Sequence, residues 1–287
     1  MTLRFVLPGP GAESLAARSG NRYMYAVATG EGDASVILTV EGERLHATAI
    51  GPGAEPALAD VERLVGFDDD FVEFSAAGGL LRDLDRRYRG LRLGSTGRVF
   101  ESLLPIVLGQ RVTTDEAAGS YRRLVRAYGR SAPGGHGLTV PPAAEVIANL
   151  QYEDLHRFGV ERTRAQILIE AARRASRLEE ISAMSRSDAR QRLGAVRGVG
   201  PWTVALVMGV AWGDRDAVPR GDFHIPHMVS WLLAGEPRGT DDRMEELLEP
   251  FRPHRRRAVI LLKLSGRHAP RYGPRSPKGT IGTASDH

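Results

Sequence analysis

The 287-residue sequence predicts an α+β protein that is mainly helical, with a small antiparallel β layer at its amino terminus. Three observations support this fold class. Residues 1–55 contain short runs rich in β-branched and aromatic residues, which are typical of strands. From residue 56 onward, apolar residues recur at the spacing of amphipathic helices. Near residue 198 a tight glycine turn separates two apolar helical patterns, and the functional prediction starts from that turn.

The β layer is expected to hold four short strands joined by tight turns. The segments Gly30-Glu31-Gly32-Asp33 and Glu41-Gly42-Glu43 provide residues that hairpin turns favour. No pattern in this layer indicates a chemical role, and we therefore expect it to support the helical body. The expected strands span 3–7, 23–29, 35–40 and 45–50.

The helical region is interrupted by a glycine-rich loop at 131–137. The final residues, 269–287, are rich in Gly, Pro and Ser and are expected to form a disordered tail. We therefore expect a β-rich domain at 1–55, a helical domain at 56–268 and this tail. One helix is expected to begin near residue 142, and the others span 56–65, 70–76, 78–88, 97–109, 113–128, 161–177, 185–196, 201–212, 223–233, 240–249 and 254–266.

Composition narrows the classes of function. The net charge is +4 and the pI about 9.7, a mild basic excess that suits a polyanionic partner such as nucleic acid. The sequence contains no cysteine, which excludes disulfides, cysteine nucleophiles and zinc or iron–sulfur sites built on thiolates. No segment has the features of a signal peptide or a membrane span. We expect a cytoplasmic, nucleoid-associated monomer without a membrane partner.

The glycine turn at Gly198-Val199-Gly200 is followed directly by Pro201. Glycine permits backbone angles that other residues avoid and lets the backbone approach a ligand closely. Proline suits the first position of a helix, whose free N–H groups and dipole attract an anion such as a phosphate. An ordinary corner between two helices is the alternative interpretation.

Asp222 gives this turn a chemical partner. It follows Trp202 by 20 residues and stands behind a loop that contains Pro219 and Gly221. Taken alone, Asp222 is most simply an N-cap of the next helix. Taken with the turn, the pattern LxxVxGVGPWTxxxVxxxxxGxxDAxPxGD resembles the hairpin and catalytic aspartate of the helix–hairpin–helix (HhH-GPD) DNA glycosylase superfamily, in its 3-methyladenine DNA glycosylase II branch.

The resemblance extends to LPIVLGQRVT at 104–113 and RPHRRRAVILLKL at 252–264, and covers roughly residues 64–268. It implies two helical lobes with an active-site cleft between them and Asp222 at the seam. It also implies base-excision repair of double-stranded DNA, in which a damaged, alkylated purine is flipped out and its N-glycosidic bond hydrolysed. No organic cofactor, iron–sulfur cluster or zinc is expected.

The resemblance assigns roles within the base pocket. Asp222 would stabilise the positive charge that develops on the sugar and deprotonate the attacking water. Strand-cutting members carry a lysine where this sequence has Trp202, so a monofunctional enzyme is expected. Trp202 would stack on the extruded base, with burial in the core as the alternative. Leu206 and Lys263 stand where this branch can place aromatic residues. Lys263 would contact the lesion or a phosphate, or form a Schiff base, with a snorkelling surface lysine as the alternative.

The DNA contacts expected from the resemblance lie on the hairpin and on two other segments. Gln110 and Arg111 would fill the gap left by the flipped base, although a surface arginine is the alternative. Arg255 belongs to a basic cluster at the start of the last long helix, which would bind phosphates or face the solvent. A monovalent cation would bind the backbone of Val196 and Val199. The hairpin residues expected at DNA are Arg197, Gly198, Val199, Gly200 and Thr203.

Two further hypotheses remain open at this point. One is a non-catalytic hairpin module that binds distorted DNA and does not need Asp222. The other is a bifunctional glycosylase and lyase that acts on oxidised purines through Lys263. A metal site at His224 and His227 is not expected, because no further acidic ligand accompanies them.

Overall fold

The computed structural model describes residues 4–6, 16–70, 74 and 78–270. It confirms a mainly helical protein with an antiparallel sheet near its amino terminus. The sheet has four strands that pair in chain order, and three of them match expected strands. The four strands are β2 (Ala16–Ser19), β3 (Arg22–Thr29), β4 (Gly32–Glu41) and β5 (Arg44–Ile50). Strands β3, β4 and β5 are the three that match.

Two short pairings were not predicted from the sequence. Strand β1 (Arg4–Val6) lies parallel to β6 (Leu91–Leu93), and β7 (Arg130–Ser131) lies antiparallel to β8 (Thr139–Val140). Strand β1 lies within the strand expected at 3–7, but it pairs outside the four-stranded sheet. The other three strands have only two or three residues each, which is too short for an alternating pattern to be recognised. The first pairing joins the amino-terminal segment to the helical region.

The helices of the described residues agree with most of the expected ones. They are α1 (Ala54–Ala59), α2 (Val61–Val65), α3 (Gly79–Arg87), α4 (Val99–Leu108), α5 (Thr114–Tyr128), α6 (Ala144–Ala148), α7 (Tyr152–His156), α8 (Arg162–Arg173), α9 (Ala175–Glu179), α10 (Arg186–Gly194), α11 (Pro201–Val207), α12 (Ile225–Ala234), α13 (Asp241–Leu248) and α14 (Arg255–Leu264). A π-helical segment, Met208–Trp212, extends α11.

Two expected helices are divided and one differs. The helix at 56–65 is divided at Asp60, whose carboxylate accepts hydrogen bonds from the Arg63 and Arg98 side chains. The helix at 161–177 breaks at Arg174. In the expected helix at 70–76, residues 70 and 74 are not helical, and the other positions lie outside the described residues. Most of the expected tail, 271–287, also lies outside them.

The helices form two lobes with separate hydrophobic cores. The first core draws on α4, α5, α8, α10 and α11, and the second on α3, α12, α13 and α14. The sheet packs on α1 and α2 in a third, smaller core. The segment between α11 and α12 crosses from the first lobe to the second and contains Asp222. Of the helices that the structure describes, none is long and apolar enough to cross a membrane.

Candidate active site

The hairpin between α10 and α11 needs glycine at one of its two glycine positions. Gly198 has a φ of +88°, and a Cβ atom there would lie 2.5 Å from the Ile167 side chain. Gly200 has a φ of −87° and no heavy atom within 4 Å of the place where a Cβ would stand. The fold therefore explains Gly198 but not Gly200, whose backbone is open to an incoming molecule. Arg197 is exposed beside them.

The Asp222 carboxylate is held by three donors. Its Oδ1 atom accepts the backbone N–H groups of His224 and Ile225, each at 2.9 Å. Its Oδ2 atom accepts the indole N–H of Trp202 at 2.9 Å. Asp222 thus binds free amides at the start of α12, two residues before the N-cap residue His224, and is also fixed to the first turn of α11. The carboxylate remains partly exposed and has a defined orientation at the seam between the lobes.

Trp202 and Leu206 stand one turn apart on α11 and are both half-buried. Gly209 follows on the same side in the π-helical extension. We call the surface formed by Gly198, Trp202, Leu206 and Gly209 the hairpin wall. The indole of Trp202 packs against the core of the first lobe, as the burial alternative predicts. Its N–H also reaches Asp222, a contact that the sequence did not predict.

Lys263 lies on α14 and its side chain is exposed. Crowding by surrounding protein atoms, the largest cause, lowers the pKa of Lys263 below 10.5, and the charge of Arg256 lowers it further. The charge of Asp222 opposes this shift. Lys263, Arg256 and Asp222 therefore act on one another across the same space. We call the surface formed by Arg256, Ile260 and Lys263 the α14 wall.

Gln110 links the turn after α4 to the hairpin. Its side-chain amide donates to the Gly198 carbonyl at 3.2 Å and to the Thr203 hydroxyl at 2.9 Å. Thr203 itself is buried. Arg111 is exposed and has a φ of +58°, a left-handed conformation that is uncommon for a residue other than glycine. The structure thus holds Arg111 outward beside the hairpin.

The basic cluster at the start of α14 is turned inward by acidic partners. Arg255 forms a two-point ion pair with Asp216, with the shorter contact at 2.7 Å, and Arg252 binds the same carboxylate. Arg257 is bound to the buried Asp69. This cluster is therefore neither an open phosphate-binding surface nor a simple solvated face, because buried carboxylates that the sequence pattern did not connect to it engage its guanidinium groups.

Two residues near Asp222 were not identified from the sequence. Phe223 has 78% of its surface exposed, and its ring lies edge-on to His224 and His227. Arg256 is deeply enclosed, and burial lowers its pKa to about 10, with the charge of Arg215 as the next cause. The position of Phe223 directly after Asp222 was the available signal for the first. For Arg256 the only signal was its position seven residues before Lys263.

The backbone of Val196 and Val199 is engaged locally. The Val199 N–H donates to the Val196 carbonyl at 3.0 Å, and both side chains are buried. Within the residues that the structure describes, no group of three or more histidine, aspartate or glutamate side chains is placed to hold a metal ion. His227 accepts a hydrogen bond from the Gly239 backbone through Nδ1. The monovalent cation remains a prediction.

Comparison with known proteins identifies relatives of this architecture. Residues 104–253 match the family model described as HhH-GPD superfamily base excision DNA repair protein. A DNA-3-methyladenine glycosylase of Bacillus subtilis (strain 168) is 29% identical over 198 residues, a match that covers 67% of this chain. The chain spans 65% of the length of that relative.

Two solved structures share the fold at low sequence identity. The 3-methyladenine DNA-glycosylase from Archaeoglobus fulgidus has a TM-score of 0.75 at 20% identity, over 91% of this chain and 97% of that one. The 8-oxoguanine glycosylase/lyase of Clostridium acetobutylicum, solved with double-stranded DNA, has a TM-score of 0.69 at 17% identity. That match covers 87% of this chain and 86% of that one. Both likenesses show a common fold.

Proposed function

Because this chain belongs to the HhH-GPD superfamily of base excision DNA repair proteins, we propose that it is a monofunctional DNA glycosylase. It hydrolyses the N-glycosidic bond of a damaged purine, in the class of alkylated bases, in double-stranded DNA. The observation that carries this proposal is the Asp222 carboxylate, fixed by the Trp202 indole and two backbone amides. The name of the Bacillus relative supports the class of substrate.

Asp222 supplies the charge that the reaction needs. As the base departs, the sugar develops positive charge, which a nearby fixed carboxylate stabilises without reorganising. The same carboxylate takes a proton from the water that attacks C1′. Its three donors hold it in place before the substrate arrives. Oδ1 accepts two of these hydrogen bonds and Oδ2 only one, so Oδ2 keeps a free lone pair. Pre-orientation of this kind is a large part of enzymatic rate acceleration.

The hairpin and the Gln110–Arg111 turn hold the DNA. The exposed backbone at Gly200 and the exposed Arg197 contact the phosphate backbone, with Gly198, Val199 and Thr203 shaping the turn and a monovalent cation at the Val196 and Val199 backbone. Arg111 occupies the gap left by the extruded base, and Gln110 fixes its position relative to the hairpin. The protein acts as a monomer on nucleoid DNA.

The Asp222→Asn variant tests this function. The amide keeps the size of the side chain but removes its charge, and we expect base release under single-turnover conditions to fall by about 10³-fold or more. DNA affinity should change by less than about threefold, because the hairpin is untouched. The substrates are duplexes that carry 7-methylguanine, 3-methyladenine, 1,N6-ethenoadenine, hypoxanthine or 8-oxoguanine. Asp222-independent release, or tight binding without release of any base, would contradict the proposal and favour a lesion-binding module.

A further inference from the structure

The two walls of the cleft face each other in a defined register. Arg256 and Lys263 are seven residues apart on α14, which places them on one face of the helix. Trp202 and Gly209 have the same separation on α11 and its extension. A Cβ atom on Gly209 would lie 2.4 Å from Arg256 Nε, so the walls touch at this end. At the other end Lys263 lies within electrostatic reach of Asp222.

This register determines what an extruded base would meet. Asp222 is bound to Trp202, and Lys263 acts electrostatically on Asp222 from the facing helix. A base whose sugar lies against the Asp222 carboxylate would therefore be near the Trp202 indole and within electrostatic reach of the Lys263 ammonium group. The exposed side chain of Lys263 is the cation that borders this space.

Arg256 adds a second fixed positive charge behind Lys263. Its Nη1 atom is buried and has no hydrogen-bond partner among the described residues. The nearby carboxylate of Asp69 is bound by Arg257 and Arg215, and Asp214 is paired with Arg186 and Arg190. The α14 wall is consequently cationic, because the acidic groups behind it are already engaged by other arginines.

A cationic wall discriminates between two classes of damaged purine. Purines methylated at N3 or N7 carry a positive charge, which the like charges of Lys263 and Arg256 repel. Neutral lesions such as 1,N6-ethenoadenine and hypoxanthine present nitrogen or oxygen acceptors that an ammonium group can bind. A neutral base is also the poorer leaving group, since it departs as an anion unless it receives a proton.

On the basis of the proposed function, we propose that the α14 wall selects neutral purine lesions. In this proposal Lys263 is a catalytic residue that donates a proton to the departing base. Lys263 hydrogen-bonds to an acceptor nitrogen of the extruded purine, while Arg256 is a positioning residue that keeps this wall cationic. Within the damaged purines of the proposed function, this wall favours neutral lesions over cationic methylated purines, which remain slower substrates.

In the proposed step Lys263 gives one proton to the base and Asp222 takes one from water. The C1′–N9 bond breaks with its electron pair on the purine, and the Lys263 ammonium transfers one proton to a purine nitrogen. Water forms the new C1′–O bond and gives its proton to Asp222. The products are a neutral base and an abasic sugar, and Lys263 regains its proton from the solvent as Asp222 loses one. No oxidant, metal or further reactant is required.

The charged groups around Lys263 determine the pH dependence. Asp222 acts on it from the segment before α12, and Arg256 from its own helix, with His224 and His227 beyond Asp222 on α12. Crowding and Arg256 hold the pKa of Lys263 below 10.5. Hypoxanthine release should therefore decline as the pH rises through this lowered pKa, because only the ammonium donates. This alkaline decline should be absent in Lys263→Met.

The test measures single-turnover release of hypoxanthine and of 7-methylguanine from duplex DNA by Lys263→Met. We expect hypoxanthine release to fall by about 10²-fold, the usual contribution of a general acid, and 7-methylguanine release to rise about threefold or more. Lys263→Arg keeps the charge but cannot give up a proton, because arginine stays protonated. It should lose hypoxanthine release and gain no 7-methylguanine release. Arg267→Met, which removes an exposed charge beyond α14, should change neither.

Several results would overturn the inference without affecting the proposed function. Equal losses for both bases in Lys263→Met would mean a merely structural role. A borohydride-trapped protein–DNA crosslink that depends on Lys263 would identify a Schiff-base nucleophile instead of a proton donor. In both cases Asp222-dependent release persists. If the protein with its natural sequence releases no base at all, the proposed function itself fails.

Discussion

The two walls of the cleft are stabilised by different physical means. The hairpin wall depends on backbone geometry, with Gly198 in a left-handed conformation, and on one hydrogen bond from Trp202 to Asp222. The α14 wall depends on buried ion pairs, in which Asp69 and Asp216 bind Arg257 and Arg255. The hairpin wall places the reacting carboxylate. The α14 wall presents charge to the base, so the two walls separate bond cleavage from base selection.

The largest change in stability is expected from removal of the anchor of the α14 wall. Asp69 is fully buried and accepts hydrogen bonds from Arg257, Arg215 and the Leu93 backbone. The variant Asp69→Asn removes the buried charge that both Arg257 and Arg215 contact, which should lower the free energy of unfolding by about 3–5 kcal/mol. Urea unfolding measures this change. Asp68→Asn is the matched control, because Asp68 is largely exposed and its carboxylate contacts Arg215 at the longer distance of 3.5 Å.

The same residue predicts an acid limit of stability. Burial alone would raise the pKa of Asp69, but the hydrogen bond and charge of Arg257, the charge of Arg215 and the Leu93 amide lower it below 3.8. The folded pKa is thus below the unfolded one, so this contribution is present above pH 3.8 and is lost as the pH falls through the folded pKa. An unfolding free energy that is equal for Asp69→Asn and Asp68→Asn would contradict this account of the wall.

A smaller effect, on rate alone, is expected at the hairpin wall from Trp202→Phe. Phenylalanine keeps an aromatic ring at this position, but the Oδ2 atom of Asp222 loses the hydrogen bond from the indole N–H. A hydrogen bond to a charged group contributes about 1.5–3 kcal/mol, so single-turnover base release should fall by roughly 10- to 100-fold. Trp212→Phe is the control, since the Trp212 indole N–H makes no hydrogen bond in the part of the chain that the structure describes. Equal rates for both variants would show that Trp202 does not position Asp222.

The smallest effect distinguishes the two glycines of the hairpin. Gly200→Ala adds a methyl group in open space at a permitted φ, so the free energy of unfolding should not decrease. If DNA approaches this backbone closely, the dissociation constant should increase about tenfold, which corresponds to about 1.4 kcal/mol. Titration of a labelled duplex at fixed salt concentration measures the change.

Gly198→Ala provides the opposite pattern within the same turn. Its Cβ would collide with Ile167 at a positive φ, and overpacking of this kind costs about 1–3 kcal/mol of stability. Thermal unfolding should therefore separate the two variants. Loss of DNA affinity in Gly198→Ala alone would mean that the hairpin acts through its fold and not through contact at Gly200.

The sequence predicted most of the hairpin wall because its determinants are local. The Gly198 turn and the Pro201 helix start are three residues apart, and Asp222 stands directly before its own helical pattern. Their resemblance to a known family then placed Asp222 at the seam. The hydrogen bond from Trp202 to Asp222 could not be predicted, because the sequence indicated a core position for Trp202 and a helix-capping role for Asp222 separately.

The α14 wall was harder to predict because its partners are distant in the chain. Arg257 binds Asp69, which is 188 residues away, and no local pattern specifies that pair. The run of arginines at 255–257 therefore resembled an open phosphate surface. The short β1 and β6 pairing was missed for the same reason, since it joins residues far apart with three positions per strand. The domain boundaries near 55 and 268 remain predictions.

One measurement tests the separation of the two walls most directly. Asp222→Asn and Lys263→Met are each compared with the natural sequence for single-turnover release of hypoxanthine and 7-methylguanine. We predict that Asp222→Asn stops the release of both bases, whereas Lys263→Met slows hypoxanthine and accelerates 7-methylguanine. If both variants change the two rates in the same proportion, cleavage and base selection are not divided between the hairpin wall and the α14 wall.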